Sequence, residues 1–567
     1  MIRKKDYLVG ELLIKKGYVS LAHIDECLKI QEKTRQYLGA ILVHKGYIDE
    51  LKLLEVLSDQ LGIPYLNLRQ CSIEEAAVKK VPAKLAFHYK ALPVSLKKGK
   101  LTVLVADPLD NRLFDELPTL LGCEIEIAIG HENQILEGLD AHYGLGAETL
   151  DRMGGKGKSR AEIPSGQVAQ VLDSKSSEDS VVKLVNQLLL DAQKSRATDI
   201  HFEPYEDELR IRYRIDGILQ DANIPSAIKQ YQANIISRIK VMANLDIAEK
   251  RLPQDGRIKI RSHGGEIDLR ISVLPTTYGE AIVVRLLSPT QLLQIEKLGF
   301  EPENQKNLQH LLKNPYGIIL LTGPTGSGKT TTLYACLAKL NDHKRKIITI
   351  EDPIEYQLKG VVQIQVHPKI GLSFSQGLRH VLRHDPDVIM VGEVRDQETA
   401  EITIRTALTG HLVFSTLHTN DAPGAIARLL DMGIEPYLVS SSVIAVIAQR
   451  LVRVICPKCK RPVKEKSPAF LEEIPPEFHL LPFWEGEGCE ACKGTGFHGR
   501  TSIHELMMID DELRDLIIKR VPSPEIRQLA LNKGMKGLIE DGFEKAGGGI
   551  TTAGEVLRVT RTEGGNE

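Results

Sequence analysis

Eight consecutive residues, Gly323-Pro324-Thr325-Gly326-Ser327-Gly328-Lys329-Thr330, form a phosphate-binding loop. Its glycines let backbone N–H groups approach a polyphosphate, and a helix starting at its end turns a positive terminus toward the same charge. In such a loop Lys329 reaches the β- and γ-phosphates, the Thr330 hydroxyl ligates Mg²⁺, and Thr331 opens the helix-forming stretch that runs to Leu340. The strand the motif requires is also present, because Gly317 to Thr322 is a continuous apolar run of the kind buried in a parallel sheet. A second apolar strand, Asp387 to Val391, ends in Gly392-Glu393-Val394-Arg395-Asp396, and a carboxylate there is placed to orient the water that attacks a phosphate. Glu393 is therefore the catalytic candidate. Gly392 occupies the position where a metal-binding aspartate is common, so Mg²⁺ must rely on Thr330, water and other acids. Ile347 to Glu355 supplies them, a third strand that ends in Glu351, Asp352 and Glu355. The strand after Gly410 ends in His418-Thr419-Asn420, at the edge where ligands sit in open parallel sheets, which makes His418 a γ-phosphate sensor.

Cys456-Pro-Lys-Cys459 and Cys489-Glu-Ala-Cys492 are two chelating thiol pairs separated by a long insertion. Four soft ligands suit a tetrahedral Zn²⁺ with no position left open, hence a structural metal; a redox dithiol is the other reading. Lys493-Gly494-Thr495-Gly496 follows as a tight knuckle. The remaining cysteines, Cys27, Cys71, Cys123 and Cys336, are isolated, an intracellular pattern rather than a disulfide framework.

The phosphate loop, Ile348 to Tyr356, Val391 to Asp396 and Ser415 to Asn420 together resemble the Walker A, Asp box, Walker B and His box of the type II secretion and type IV pilus ATPase family. The likeness spans roughly residues 181 to 560. It implies an α/β multidomain chain: a PAS-like α+β domain, a RecA-like ATPase domain and a tetracysteine zinc module, working as a homo-hexamer on ATP and Mg²⁺ at an inner-membrane platform. It also implies catalytic parts for Lys329, Glu355, Glu393 and His418, and for Arg270 and Arg285 as arginines that reach the γ-phosphate when domains close. Zinc-bearing members are assembly or secretion motors, which favours extension or export over retraction; the length, with its large N-terminal region, favours a pilus assembly motor, with type II protein export as the alternative. The N-terminal repeat resembles a cyclic-di-GMP-binding domain through Gly10, Gly17, Leu28 and Gln31, matched by Gly39, Gly46, Leu57 and Gln60. Leu8 and Tyr37 replace the arginine that opens each motif, so nucleotide sensing and plain docking both stand.

These residues need elements to position them. Leu8 to Gln31 recurs as Tyr37 to Gln60, and each copy reads as a glycine-closed helix, a polar cap at Ser20 or Asp49, and a second helix, within residues 1–62. Residues 63–145 change to short strands and helices. Residues 146–180 are Gly-, Ser- and Lys-rich and read as a linker. From 181 to 290 a helix is followed by alternating strands: Leu209 to Ile215 sets arginines on its open face, and Arg257 to Arg261 pairs with Glu266 to Ser272 through a Gly264-Gly265 turn. On the latter strand Ile267, Leu269, Ile271 and Val273 point one way, and Asp268, Arg270 and Ser272 the other. Residues 291–567 hold the ATPase motifs, the cysteines near 450–500 and terminal helices.

The 567 residues suit several domains. With 73 Lys plus Arg against 75 Asp plus Glu, the charge is only -2, which argues against nucleic acid as the main partner. The longest apolar run, Val443 to Ala448, is far shorter than a membrane-spanning helix, and charges at Asp6, Glu11, Lys15 and Lys16 interrupt any signal-peptide core. The expected location is the cytoplasm, with membrane association through partners.

Overall fold

The computed structural model describes residues 9–34, 37–68, 71–97, 99–108, 116–144, 170–171, 180–262, 265–287, 294–464 and 468–561. The chain divides into two compact units, Met1–Leu286 and Leu287–Glu567.

In the first unit the 29-residue repeat gives matching helix pairs, Val9–Lys15 with Leu21–Thr34 and Leu38–His44 with Glu50–Leu61. Gly17 and Gly46 close the leading helices at φ 74° and 73°, the left-handed region that favours glycine. The Ser20 hydroxyl accepts the His23 N–H at 3.4 Å, whereas Asp49 makes no side-chain cap bond. Leu13, Ile24, Ile41, Leu42, Leu53 and Val56 form the buried seam between the pairs. A three-stranded sheet follows, Ala91–Lys97, Lys100–Val105 and Glu124–Ile129, with its own core. Most of the expected linker lies outside the described residues, but Gln170 and Val171 within it pair in parallel with Ile260 and Arg261. They complete the edge of a seven-stranded sheet whose other neighbours include the hairpin Gln254–Ser262 and Gly265–Thr276. One face of that sheet is buried under the helices Ser180–Lys194 and Gln232–Met242.

The second unit is built on another seven-stranded sheet, in the order Val362–Gln365, Ile347–Glu351, Val388–Val391, Leu412–Leu417, Gly317–Thr322, Val443–Ile455, Phe497–Met508. All neighbours run parallel except the last pair. Every residue of Gly317–Thr322 is buried, because the sheet is covered on both faces. Ile319 and Leu321 pack with Leu333, Tyr334 and Leu337 of the helix Lys329–Leu340, while Ile318 and Leu320 pack with Ile404, Ile426 and Val439 on the opposite side. This two-residue alternation is what a doubly covered strand demands. Parallel pairing brings the carboxyl ends of four strands to one edge, and with them the phosphate loop, the Glu351–Glu355 turn, Glu393 and His418.

Candidate active site and tetracysteine centre

The phosphate loop takes its shape from glycines that no other residue can replace without strain. Gly323, Gly326 and Gly328 have φ values of 145°, 81° and 87°. A Cβ on Gly323 would stand 2.5 Å from the Gln449 carbonyl oxygen and one on Gly328 2.8 Å from Gln449 Nε2, so the adjoining strand also presses against the loop. The Ser327 hydroxyl, between loop and strand, is buried and has no hydrogen-bond partner among the described residues. Lys329 is only 9% exposed and folds back to donate to the carbonyls of Gly323 at 2.6 Å and Pro324 at 3.1 Å. Burial, then the charge of Arg450, bring its amine from 10.5 down to about 8 against an opposing pull from Glu393. A buried cation held only by carbonyls, over a cradle of glycines and an unpartnered hydroxyl, fits an anionic phosphate. Thr330 and Thr331 follow in the first turn of the helix.

Glu393 and His418 lie side by side. Glu393 leaves the strand Val388–Val391 with its carboxylate mostly covered, ion-paired to Arg395, and His418 Nε2 lies 3.5 Å from its other oxygen. The loop bearing His418 is pinned by its neighbours. Thr419 N–H donates to the Thr322 hydroxyl at 2.8 Å, the two threonine hydroxyls lie 2.7 Å apart, and Arg450 donates to the Asn420 carbonyl at 3.0 Å.

The acids after Ile347–Glu351 divide by environment. Glu351, read from sequence as available to a metal, is buried and already takes three hydrogen bonds: it accepts from Tyr334, from Thr349 Oγ1 at 2.5 Å and from Gln363 Nε2 at 3.1 Å. These bonds make it a brace between its strand and the helix that follows the phosphate loop. Glu355 is half-buried in the turn beyond. Arg270 and Arg285 lie in the first unit. Arg285 is 56% exposed and donates through Nε to Asp199 Oδ1 at 3.0 Å, on the strand paired with its own. Arg270 stands opposite Arg257 in the hairpin register.

The four cysteine sulfurs all lie within 4.8 Å of one another. Cys456 to Cys489 and Cys459 to Cys492 are each 3.8 Å apart and Cys489 to Cys492 3.7 Å. Tetrahedral coordination with Zn–S bonds of about 2.3 Å requires S···S separations of about 3.8 Å, so the donor set fits zinc. The N–H groups of Cys489 and Gly496 donate to Cys492 Sγ at 3.1 and 3.2 Å. Burial opposes ionisation of that thiol, yet these donors and the neighbouring thiols draw it down to about 6. The knuckle needs its glycines: Gly486 and Gly496 pack backbone to backbone, and a Cβ on Gly496 would lie 2.5 Å from the Gly486 carbonyl oxygen.

Sequence reasoning missed Thr322, Tyr334, Gln449 and Arg450. Each acts across more than a dozen residues of chain, so no local pattern in the sequence pointed to it.

This sheet, loop and acid arrangement defines a RecA-like P-loop ATPase with a separate tetracysteine centre. Its lineage follows from comparison. The profile of the family described as Type II/IV secretion system protein matches residues 174–558, and that of the MshEN domain matches residues 61–149. The chain is 42% identical over 556 residues to the type IV pilus assembly ATPase PilB of Myxococcus xanthus, covering 97% of this chain and 98% of that one. It is 40% identical over 574 residues to type II secretion system protein E of Xanthomonas campestris, covering 98% and 99%. The ATPase DotB of Legionella pneumophila shares the fold, with a TM-score of 0.50 at 21% identity over 69% of this chain and 98% of that one. The chain belongs to the type II/IV secretion system ATPase family. Among the described residues no helix is long and apolar enough to cross a membrane.

Proposed function

We propose that this ATPase drives assembly of a type IV pilus, as a ring of six copies working against an inner-membrane platform protein and the pilus assembly proteins. The observation that carries the reading is the near end-to-end match, N-terminal region included, to a pilus assembly ATPase. A match of similar extent to a type II secretion ATPase supports protein export as the second reading.

In the proposed cycle the loop Gly323–Thr330 takes up the ATP phosphates, and Lys329 exchanges its two carbonyl partners for β- and γ-oxygens. Thr330 and, through water, Glu355 would hold Mg²⁺, which when bound would supply positive charge against that developing on the phosphates. Glu393 orients the attacking water, and His418, beside it, reports whether the γ-phosphate is present. Arg270 and Arg285 add positive charge at the γ-phosphate when the domains close, Arg285 leaving Asp199 to do so. Cys456, Cys459, Cys489 and Cys492 hold a structural zinc ion. The N-terminal repeat serves as a docking module or takes cyclic-di-GMP; the MshEN match to the adjoining segment supports the latter.

Capture of the Glu393→Gln protein from its host's membranes, with ATP present to hold the engaged state, tests the reading through the proteins recovered. A pilus platform and pilin-assembly proteins are expected. Recovery of a secretion platform with its recruiting protein instead would transfer the same chemistry to export.

A further inference from the structure

The reaction as described leaves Arg450 without a task, although its position is unusual. Arg450 sits just past the point where Val443–Ile455 pairs with the strand that leads into the phosphate loop, Thr322 lying opposite Ala448. It is partly buried, yet among the described residues no carboxylate lies within 4.0 Å of its guanidinium. Its donors go to oxygens on its own strand and on one loop: Nη1 to the Gln449 carbonyl at 3.1 Å, and Nη2 to the Asn420 carbonyl at 3.0 Å and Asn420 Oδ1 at 3.3 Å. Asp421 and Glu505 act on its charge from beyond ion-pair distance, so the contacts that fix the guanidinium are these oxygens.

Gln449 completes the bridge. It is 2% exposed, donates through Nε2 to the Ser327 carbonyl of the phosphate loop at 2.8 Å, and accepts from Thr332 Oγ1 at 2.7 Å. The dipeptide Gln449-Arg450 thus grips the phosphate loop with one side chain and the His418 loop with the other. His418 lies between Leu417, fixed in the sheet, and Thr419 and Asn420, fixed by Thr322 and Arg450.

We propose that Arg450 is a positioning residue for ATP hydrolysis: by bridging Gln449 and Asn420 it couples the phosphate loop to the loop that sets His418 beside Glu393. The proposal rests on the assigned site of hydrolysis and adds the link that makes its two loops move together. Loss of the bridge leaves phosphate capture by Lys329 intact and blurs the placement of His418, so turnover falls while ATP binding holds.

The test uses the full-length protein and four variants, Arg450→Met, Arg450→Lys, Asn420→Ala and the Asn420→Ala/Arg450→Met double. kcat, KM for ATP and Tm are measured for each. We expect Arg450→Met to lower kcat about tenfold or more, with KM within about threefold and Tm close to that of the parent. Arg450→Lys keeps the charge but cannot span both carbonyls, and recovers only part of the loss. Asn420→Ala removes only the 3.3 Å bond and keeps the carbonyl that accepts at 3.0 Å, so it lowers kcat less than Arg450→Met, and the double variant is no slower than Arg450→Met alone. Should Arg450→Met fail to fold, Arg450→Lys decides the matter. Turnover within twofold of the parent for the folded Arg450 variant, or effects that multiply in the double variant, overturns the proposal. Loss of turnover in Glu393→Gln with full activity in the Arg450 variant would reject the bridge while leaving the hydrolytic site standing.

Discussion

Lys329 is held in a place that opposes folding and serves binding. Its amine titrates near 8 in the native chain against 10.5 in an unfolded one, a difference of about 3 kcal/mol at neutral pH. Between those two values the unfolded chain binds more protons, so the lysine's penalty disappears as pH rises. Lys329→Met should therefore melt above the parent at pH 7, lose ATP binding, and show a Tm advantage that shrinks by pH 9.5. A constant difference across that range would mean the amine is not perturbed. The residues of the loop were legible because eight adjacent positions state their own geometry. Glu351 was not, since its three donors come from positions 334, 349 and 363 and turn an apparently available acid into a buried brace.

At the scale of elements, alternation and repeat spacing foretold the helix pairs, the arginine-faced sheet and the parallel ATPase sheet, because each is written in local hydrophobic period. The pairing of Gln170–Val171 with the sheet edge was hidden in a polar stretch too short to show a period. The tetracysteine module belongs here as well. It joins the end of Val443–Ile455 to the knuckle, with the Cys456 N–H donating to the Gly496 carbonyl at 2.9 Å. Purified protein should hold about one zinc per chain by elemental analysis, and chelation or Cys459→Ser should lower Tm by about 5 °C or more. Metal-free protein with four freely titrating thiols and an unchanged Tm would return the cysteines to the dithiol reading.

At the scale of the whole molecule, the part proposed for Arg285, a residue of the first unit, is open to a direct test. Arg285→Ala should cut turnover about a thousandfold with ATP binding preserved, whereas Asp199→Asn, which neutralises the resting partner of Arg285, should cost far less. Equal losses in the two variants would reduce Arg285 to a structural pair. The central claim, that ATP hydrolysis by this chain builds pili, is tested most directly by deleting the gene in its host and counting surface pili after complementation. We predict that pili vanish on deletion, return with the parental chain, and fail to return with the Glu393→Gln chain. Pili that persist after deletion, alongside a loss of exported protein from the medium, would contradict the claim and make this chain a secretion ATPase.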